Sequence, residues 1–206
     1  MKKIFLLFVG LLFVNCSSSD PVITPAPILA SCNSNNTAFQ QLYNPLNTTA
    51  FPENLSGYSN AVTHEYTFNV TNVAAICSVG YQSQTALASQ NYQIDIYDTV
   101  TSTVVATVVS TFSSTTTSYV SLSTPLSLIA GRSYKIKRYS PATSANPNGA
   151  GRCVSNNVTG AGNVSFPQTF GNLTITDSDF YTQTFQGIVS ANDNNNSMPY
   201  IDIVFQ

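Results

Sequence analysis

His64 is the only histidine in this 206-residue chain, which narrows the catalysis the chain can host. A Ser-His-Asp triad needs its base held by an acid beside a nucleophile on a sharp turn, and no Gly-x-Ser-x-Gly occurs here. His64 opens a strand-like segment and is expected at the surface or at a sheet edge. Asp177 and Asp179 flank Ser178, but close carboxylates in a turn are commonly Asx-turn formers rather than the separated pair of a glycosidase. The expectation is therefore a chain that is not an enzyme. Calcium suits the oxygens better, since it takes six to eight ligands from carboxylates, amides and carbonyls. Asp177 and Asp179 form one candidate group, and Asn192 and Asp193 in the run Asn192–Asn196 form another. Neither fits a Ca-loop pattern, and the plainer use of an Asn-rich loop is a solvated turn. Calcium is the one cofactor considered; otherwise none is expected.

Sugar recognition needs aromatic faces and planar polar partners. Tyr139 and Tyr181 are the chosen aromatic candidates, and the absence of Trp counts against a large stacking surface. Lys135, Lys137 and Arg138 follow one another on a strand ending at Tyr139. Alternation sets Lys135, Lys137 and Tyr139 on one face and Tyr134, Ile136 and Arg138 on the other. The basic residues could meet an acidic glycan or anionic headgroups. The plainer uses are protection of an exposed edge or cross-strand pairing with Asp95. Arg138, sharing the apolar face at a strand end, is expected to pair with Asp98 at the matching end of its own strand.

Charged residues make up 8% of the chain and apolar ones 43%. That apolar share is too high for disorder, and hydroxyl and amide side chains replace the missing charge. Discounting Lys2 and Lys3, five of the seven basic residues remain against nine acidic ones. That balance argues against nucleic acid as a partner.

The elements that must position these residues are strands. Tyr66, Phe68 and Val70 alternate with Glu65, Thr67 and Asn69, and Tyr92, Ile94 and Ile96 alternate with Gln93, Asp95 and Tyr97. Val73–Gln82, Thr103–Phe112, Ser118–Leu122, Leu126–Leu128, Tyr134–Tyr139, Gly151–Asn157, Leu173–Asp177, Phe180–Phe185 and Tyr200–Phe205 complete the set. Residues 32–62 read as irregular lead-in, and no stretch past the first fifteen residues carries a helical period. Many short strands between turns predict an all-β fold, a single-domain antiparallel β-sandwich of jelly-roll type. With Cys16 set aside, Cys32, Cys77 and Cys153 allow one bridge. Cys32–Cys153, Cys77–Cys153 and no bridge at all stay open.

Met1-Lys2-Lys3, the apolar run Ile4–Val14 and Asn15-Cys16 have the form of a secretory signal. With Ser17-Ser18-Ser19-Asp20 following, the junction resembles the lipobox of bacterial lipoproteins, in the looser form of Bacteroidota. The resemblance implies lipidation at Cys16, removal of residues 1–15, a Pro-containing tether over 16–31 and a domain over 32–206. It implies anchoring to the outer membrane, facing outward or into the periplasm. Val79-Gly80-Tyr81, Tyr92-x-Ile-x-Ile-Tyr-Asp98 and Leu126-x-Leu-x-Ala-Gly131-x-x-Tyr134 resemble an uncharacterised jelly-roll family of extracellular bacterial proteins. That likeness implies a sandwich displayed at the cell surface and no catalytic residues. Asp98-Thr99-Val100 resembles the O-glycosylation sequon of exported Bacteroidota proteins, which would make Thr99 an acceptor. The function expected is a cell-envelope binding or adhesion module, with a glycan or an envelope protein as partner. The alternative is a structural accessory subunit of an envelope complex that binds no sugar.

Overall fold

A computed structural model describes residues 31–54, 61–140, 151–156, 162–183, 189–190 and 195–206. Its elements are one helix, α1 (Ala38–Tyr43), and the strands β1 (Glu53–Asn54), β2 (Ala61–Val70), β3 (Ala74–Tyr81), β4 (Tyr92–Asp98), β5 (Thr103–Ser110), β6 (Ser118–Leu128), β7 (Tyr134–Tyr139), β8 (Cys153–Ser155), β9 (Gln168–Phe170), β10 (Leu173–Gln183), β11 (Val189–Ser190), β12 (Ser197–Pro199) and β13 (Ile201–Phe205). Among the described residues no helix is long and apolar enough to cross a membrane. Cys16 lies outside the described residues, as do Asn192 and Asp193.

All pairings are antiparallel. The larger sheet runs β11-β10-β2-β7-β4-β5 with β9 beside β10, a second runs β13-β3-β6, and a small one runs β1-β8-β12. β4 pairs β5, β3 pairs β6 and β2 pairs β7. This is one long ribbon folded at the β4–β5 hairpin, with its middle pair in the opposite sheet. That alternation makes the sandwich a jelly roll. β10 then extends the ribbon beside β2, and β13 beside β3.

Period-two burial builds the core. Tyr66, Phe68, Val70, Ile94, Ile96 and Ile136 of the larger sheet meet Ile76, Val79, Tyr81, Ile201 and Ile203 of the second. The Tyr66 hydroxyl crosses between the sheets and donates to the Ile201 carbonyl at 2.6 Å. At one end Tyr81, Tyr92 and Phe112 pack with their rings tilted or edge to face.

The expected irregular lead-in contains α1, a correction with a clear cause. Thr37 caps the helix through its hydroxyl, which accepts from the Gln40 amide at 3.0 Å, and Phe39, Leu42 and Tyr43 are buried. Six residues, fewer than two turns, are too short to show a period in sequence. The helix is held to β13 by Asp202, whose carboxylate accepts from Thr37 (2.7 Å), Gln40 (3.0 Å) and Tyr119 (2.8 Å). Tyr119 reaches it by crossing Gly80, its cross-strand partner. A Cβ on Gly80 would stand 2.3 Å from the Tyr119 ring, so only glycine fits there.

The disulfide also differs from the pairings considered. Cys32 bridges Cys77, with Cα atoms 5.9 Å apart, and Cys153 is a free buried thiol. A register shift between Ile76 and Ser78 puts Cys77 out of step with the alternation. Burial pushes the Cys153 thiol up to about 12, so it is inert at neutral pH.

Two outcomes follow. The bridge spans 45 residues, so Cys32→Ser or reduction should lower unfolding free energy by about 2–4 kcal/mol, read from denaturant midpoints. Burial raises Asp202 to about 6, against the hydrogen bonds of Thr37, Tyr119 and Gln40 that favour its charge. An acid whose folded pKa is raised binds its proton more tightly when folded. Its stabilising effect is therefore full below about pH 4 and fades as pH rises through 6. Relative to Asp202→Asn, the native chain should lose up to about 3 kcal/mol between pH 4 and pH 7.

Candidate functional site: the outer face of the larger sheet

Side chains that point away from the core on β10, β2, β7, β4 and β5 fall into three cross-strand rows. The first is Asp177, Thr67, Lys135, Tyr97 and Val104; the second is Asp179, Glu65, Lys137, Asp95 and Thr107; the third is Tyr181, Thr63, Tyr139, Gln93 and Val109. Four of the five residues expected to bind ligand, Lys135, Lys137, Tyr139 and Tyr181, meet on this face. So do Asp177 and Asp179. These two were expected in a turn, but β10 runs unbroken past them. A register shift between Ile175 and Asp177 absorbs the irregularity.

Glu65 organises the face. Its side chain is 2% exposed, with Lys135 Nζ at 2.5 Å from one oxygen and Lys137 Nζ at 3.1 Å from the other. Burial alone would lower the Lys135 pKa, but the Glu65 hydrogen bond and charge, with Tyr181 and Asp177, raise it overall. Lys137 also lies 5.5 Å from the centroid of Tyr139 and 5.2 Å from that of Tyr181, within cation–π range. The Tyr139 and Tyr97 hydroxyls share a hydrogen bond of 2.6 Å. Asp95, level with Lys137 in register, spends its oxygens on Gln93 (2.9 Å) and Thr107 (2.8 Å). Burial, then the Tyr97 hydrogen bond and nearby carboxylates, raises the Tyr139 pKa, so its phenol is neutral and available as a donor.

This corrects the reading of the basic strand. β7 lies between β2 and β4, so its lysines guard no edge, and their counter-ion is Glu65 rather than Asp95. Four carboxylates against two ammonium groups leave the face acidic, which disfavours an anionic ligand. Arg138 faces the other way. It is fully buried, level with His64 and Ile94, with its guanidinium 5.9 Å from the Tyr81 ring centroid. It does not meet Asp98, because antiparallel pairing sends matching ends to opposite edges of the ladder. Asp98 stands across from Tyr134 and pairs with Arg132.

His64, expected at a surface or edge, is fully buried between β10 and β7, with Ser197 Oγ 2.9 Å from Nε2. Burial, then the charge of Arg138, holds its pKa well below the usual imidazole value. A neutral imidazole beside a hydroxyl has the geometry of a base and nucleophile. Both groups are buried, Ser197 being 1% exposed. Sequence spacing gave no signal for this pair, which lies 133 residues apart.

Asn195, in the Asn-rich run, docks on Ser178, between the two candidate carboxylates. Its Oδ1 accepts from the Ser178 amide at 3.0 Å, and its own amide donates to the Ser178 carbonyl at 2.8 Å. Among the described residues no three His, Cys, Asp or Glu side chains converge as a metal site. Thr99 sits in the β4–β5 turn. It is half-buried, and its hydroxyl donates to the Ser133 carbonyl at 2.9 Å. No protein-family model matches the chain, and no curated protein matches it either.

Glu65→Gln should cost about 1–3 kcal/mol of stability by leaving two crowded ammonium groups without their counter-ion. It should also lower the Lys135 pKa. Faster acylation of Lys135 at neutral pH, followed by mass spectrometry, is the expected readout; an unchanged rate would mean the carboxylate is not its partner.

Proposed function

We propose that this chain is a lipid-anchored envelope binding module whose outer sheet face takes an uncharged glycan. The observation that carries the reading is the grouping of Tyr97, Tyr139 and Tyr181 with Gln93, Asp95 and the Glu65–lysine cluster on one side of one sheet. Half-buried tyrosines offer apolar area with a hydroxyl handle at low entropic cost. Amide, carboxylate and ammonium groups beside them match the donors and acceptors of sugar hydroxyls. The lysines are neutralised from below, so selectivity falls to neutral sugars. The reading is non-catalytic, and the burial of the one histidine supports it. Anchoring at Cys16 in the outer membrane belongs to the same proposal and rests on the lipobox resemblance.

A second reading, an accessory subunit of an envelope complex, has one observation in its favour. β5 ends the larger sheet, carries no charge, and leaves Val104, Val105 and Val109 at 46%, 37% and 59% exposure. Natural edge strands usually carry a charge or proline that blocks pairing.

A glycan array probed with the whole chain in detergent, with calcium and with chelator, separates the readings. Binding to neutral glycans, weakened about tenfold or more by Tyr139→Ala or Tyr181→Ala, is expected. A blank array with a protein co-purifying through β5 would replace the first reading with the second. Loss of binding on chelation would add calcium to the site.

A further inference from the structure

The end of the sandwich, away from the outer-face rows, carries a cleft of about 380 Å³ lined by Glu53, Gln82, Thr115, Thr116, Thr117 and Arg152. Its size is within the range of small-molecule sites. Arg152 is its fixed point. The backbone amide of Arg152 donates to the Gln82 carbonyl at 3.1 Å, and its carbonyl accepts from Tyr200 at 2.9 Å. The guanidinium lies 4.0 Å from the Tyr200 ring centroid and 5.6 Å from that of Tyr43. Nε donates to Glu53 Oε1 at 2.5 Å, and Nη1 donates to Thr117 Oγ1 at 3.3 Å. A guanidinium held by aromatic faces and a carboxylate loses little freedom on binding.

The lining decides the ligand class. Arg152 supplies donors only, and Glu53 acceptors only. Thr115 and Thr116, both exposed, supply both, while the Thr117 hydroxyl is engaged by Arg152 and Tyr200 and the Gln82 amide nitrogen is spent on the Ser114 carbonyl at 3.1 Å. A ligand carboxylate approaching Arg152 would meet Glu53 already on it. A pair of adjacent hydroxyls suits the ion pair better: one accepts from the guanidinium while its neighbour donates to the carboxylate. We infer that this cleft is a second saccharide site, which recognises a vicinal diol of an uncharged sugar through the Arg152–Glu53 pair and the Thr115–Thr117 wall. This goes beyond the outer-face reading and does not depend on it.

The test adds neutral manno-, gluco- and galacto-oligosaccharides, and separately oligogalacturonate, to the whole chain in detergent. Hydrogen exchange read by mass spectrometry locates the contact, and titration calorimetry gives the stoichiometry. A neutral oligosaccharide should slow exchange in the peptide covering Thr115–Thr117. Arg152→Met, which keeps the stack on Tyr200 but removes every donor, should weaken this binding about tenfold or more. Thr116→Val, in an exposed loop position, serves as the variant least able to disturb folding and should weaken it less. Tyr181→Ala should leave it unchanged, so failure of the outer face and failure of the cleft are told apart. Protection by oligogalacturonate alone would make this an anion site and overturn the diol assignment. Absence of protection with every probe, or undiminished binding by a folded Arg152→Met chain, would overturn the site itself.

Discussion

A carboxylate shut inside a sheet must be neutralised where it stands, and Glu65 sets that requirement on the strands around it. It occupies β2, between β10 and β7, and is level with Asp179 on one side and Lys137 on the other. Two carboxylates side by side on a sheet repel. The compensation comes from the two lysines of β7, Lys137 in the same row as Glu65 and Lys135 in the row beside it. A slip of one residue between β2 and β7 would carry both lysines to the core face and bring Arg138 out. The ion cluster and the apolar alternation thus specify the same register, and the tyrosines that flank the cluster inherit their positions from it.

The polar groups inside the sandwich act in a similar way. Asp202 ties α1, β6 and β13 together, while His64 and Arg138 occupy level positions within the larger sheet. Each is costly to bury unless its surroundings answer it. Their pH responses have opposite signs. His64 favours the fold while neutral, above its unfolded value near 6.5, and loses that contribution as pH falls. Asp202 favours the fold while protonated.

How much of this was legible depended on whether a residue's role was local. The strands Tyr92–Asp98 and Tyr134–Tyr139 could be read to the residue, because alternation between buried and outward positions is written in the chain itself. So could the outward grouping of Lys135, Lys137 and Tyr139. What failed needed knowledge of a neighbour. Edge protection by the lysines fails once β7 has a strand on each side. The Arg138–Asp98 pair fails because antiparallel strands reverse their ends. Cys32 meets Cys77 through a loop-to-strand contact that no spacing rule supplies. His64 opens the alternating pattern, which suggests an edge, yet its alternation with Tyr66 and Phe68 assigns it to their buried face. Asp177-Ser178-Asp179 has the composition of a turn but is carried through a continuous strand by a bulge.

The Cys32–Cys77 bridge has a mechanical consequence. Cys32 stands before every element of the sandwich, and Cys77 lies in β3, the middle strand of its sheet. Tension applied through the residues that precede Cys32 passes across the sulfur bridge into a strand laddered on both sides to β13 and β6. The helix α1 and the strands β1 and β2 are bypassed by that load. Pulling on the N-terminal segment therefore works against two hydrogen-bonded ladders at once, whereas in the reduced chain the same pull would begin by peeling a six-residue helix.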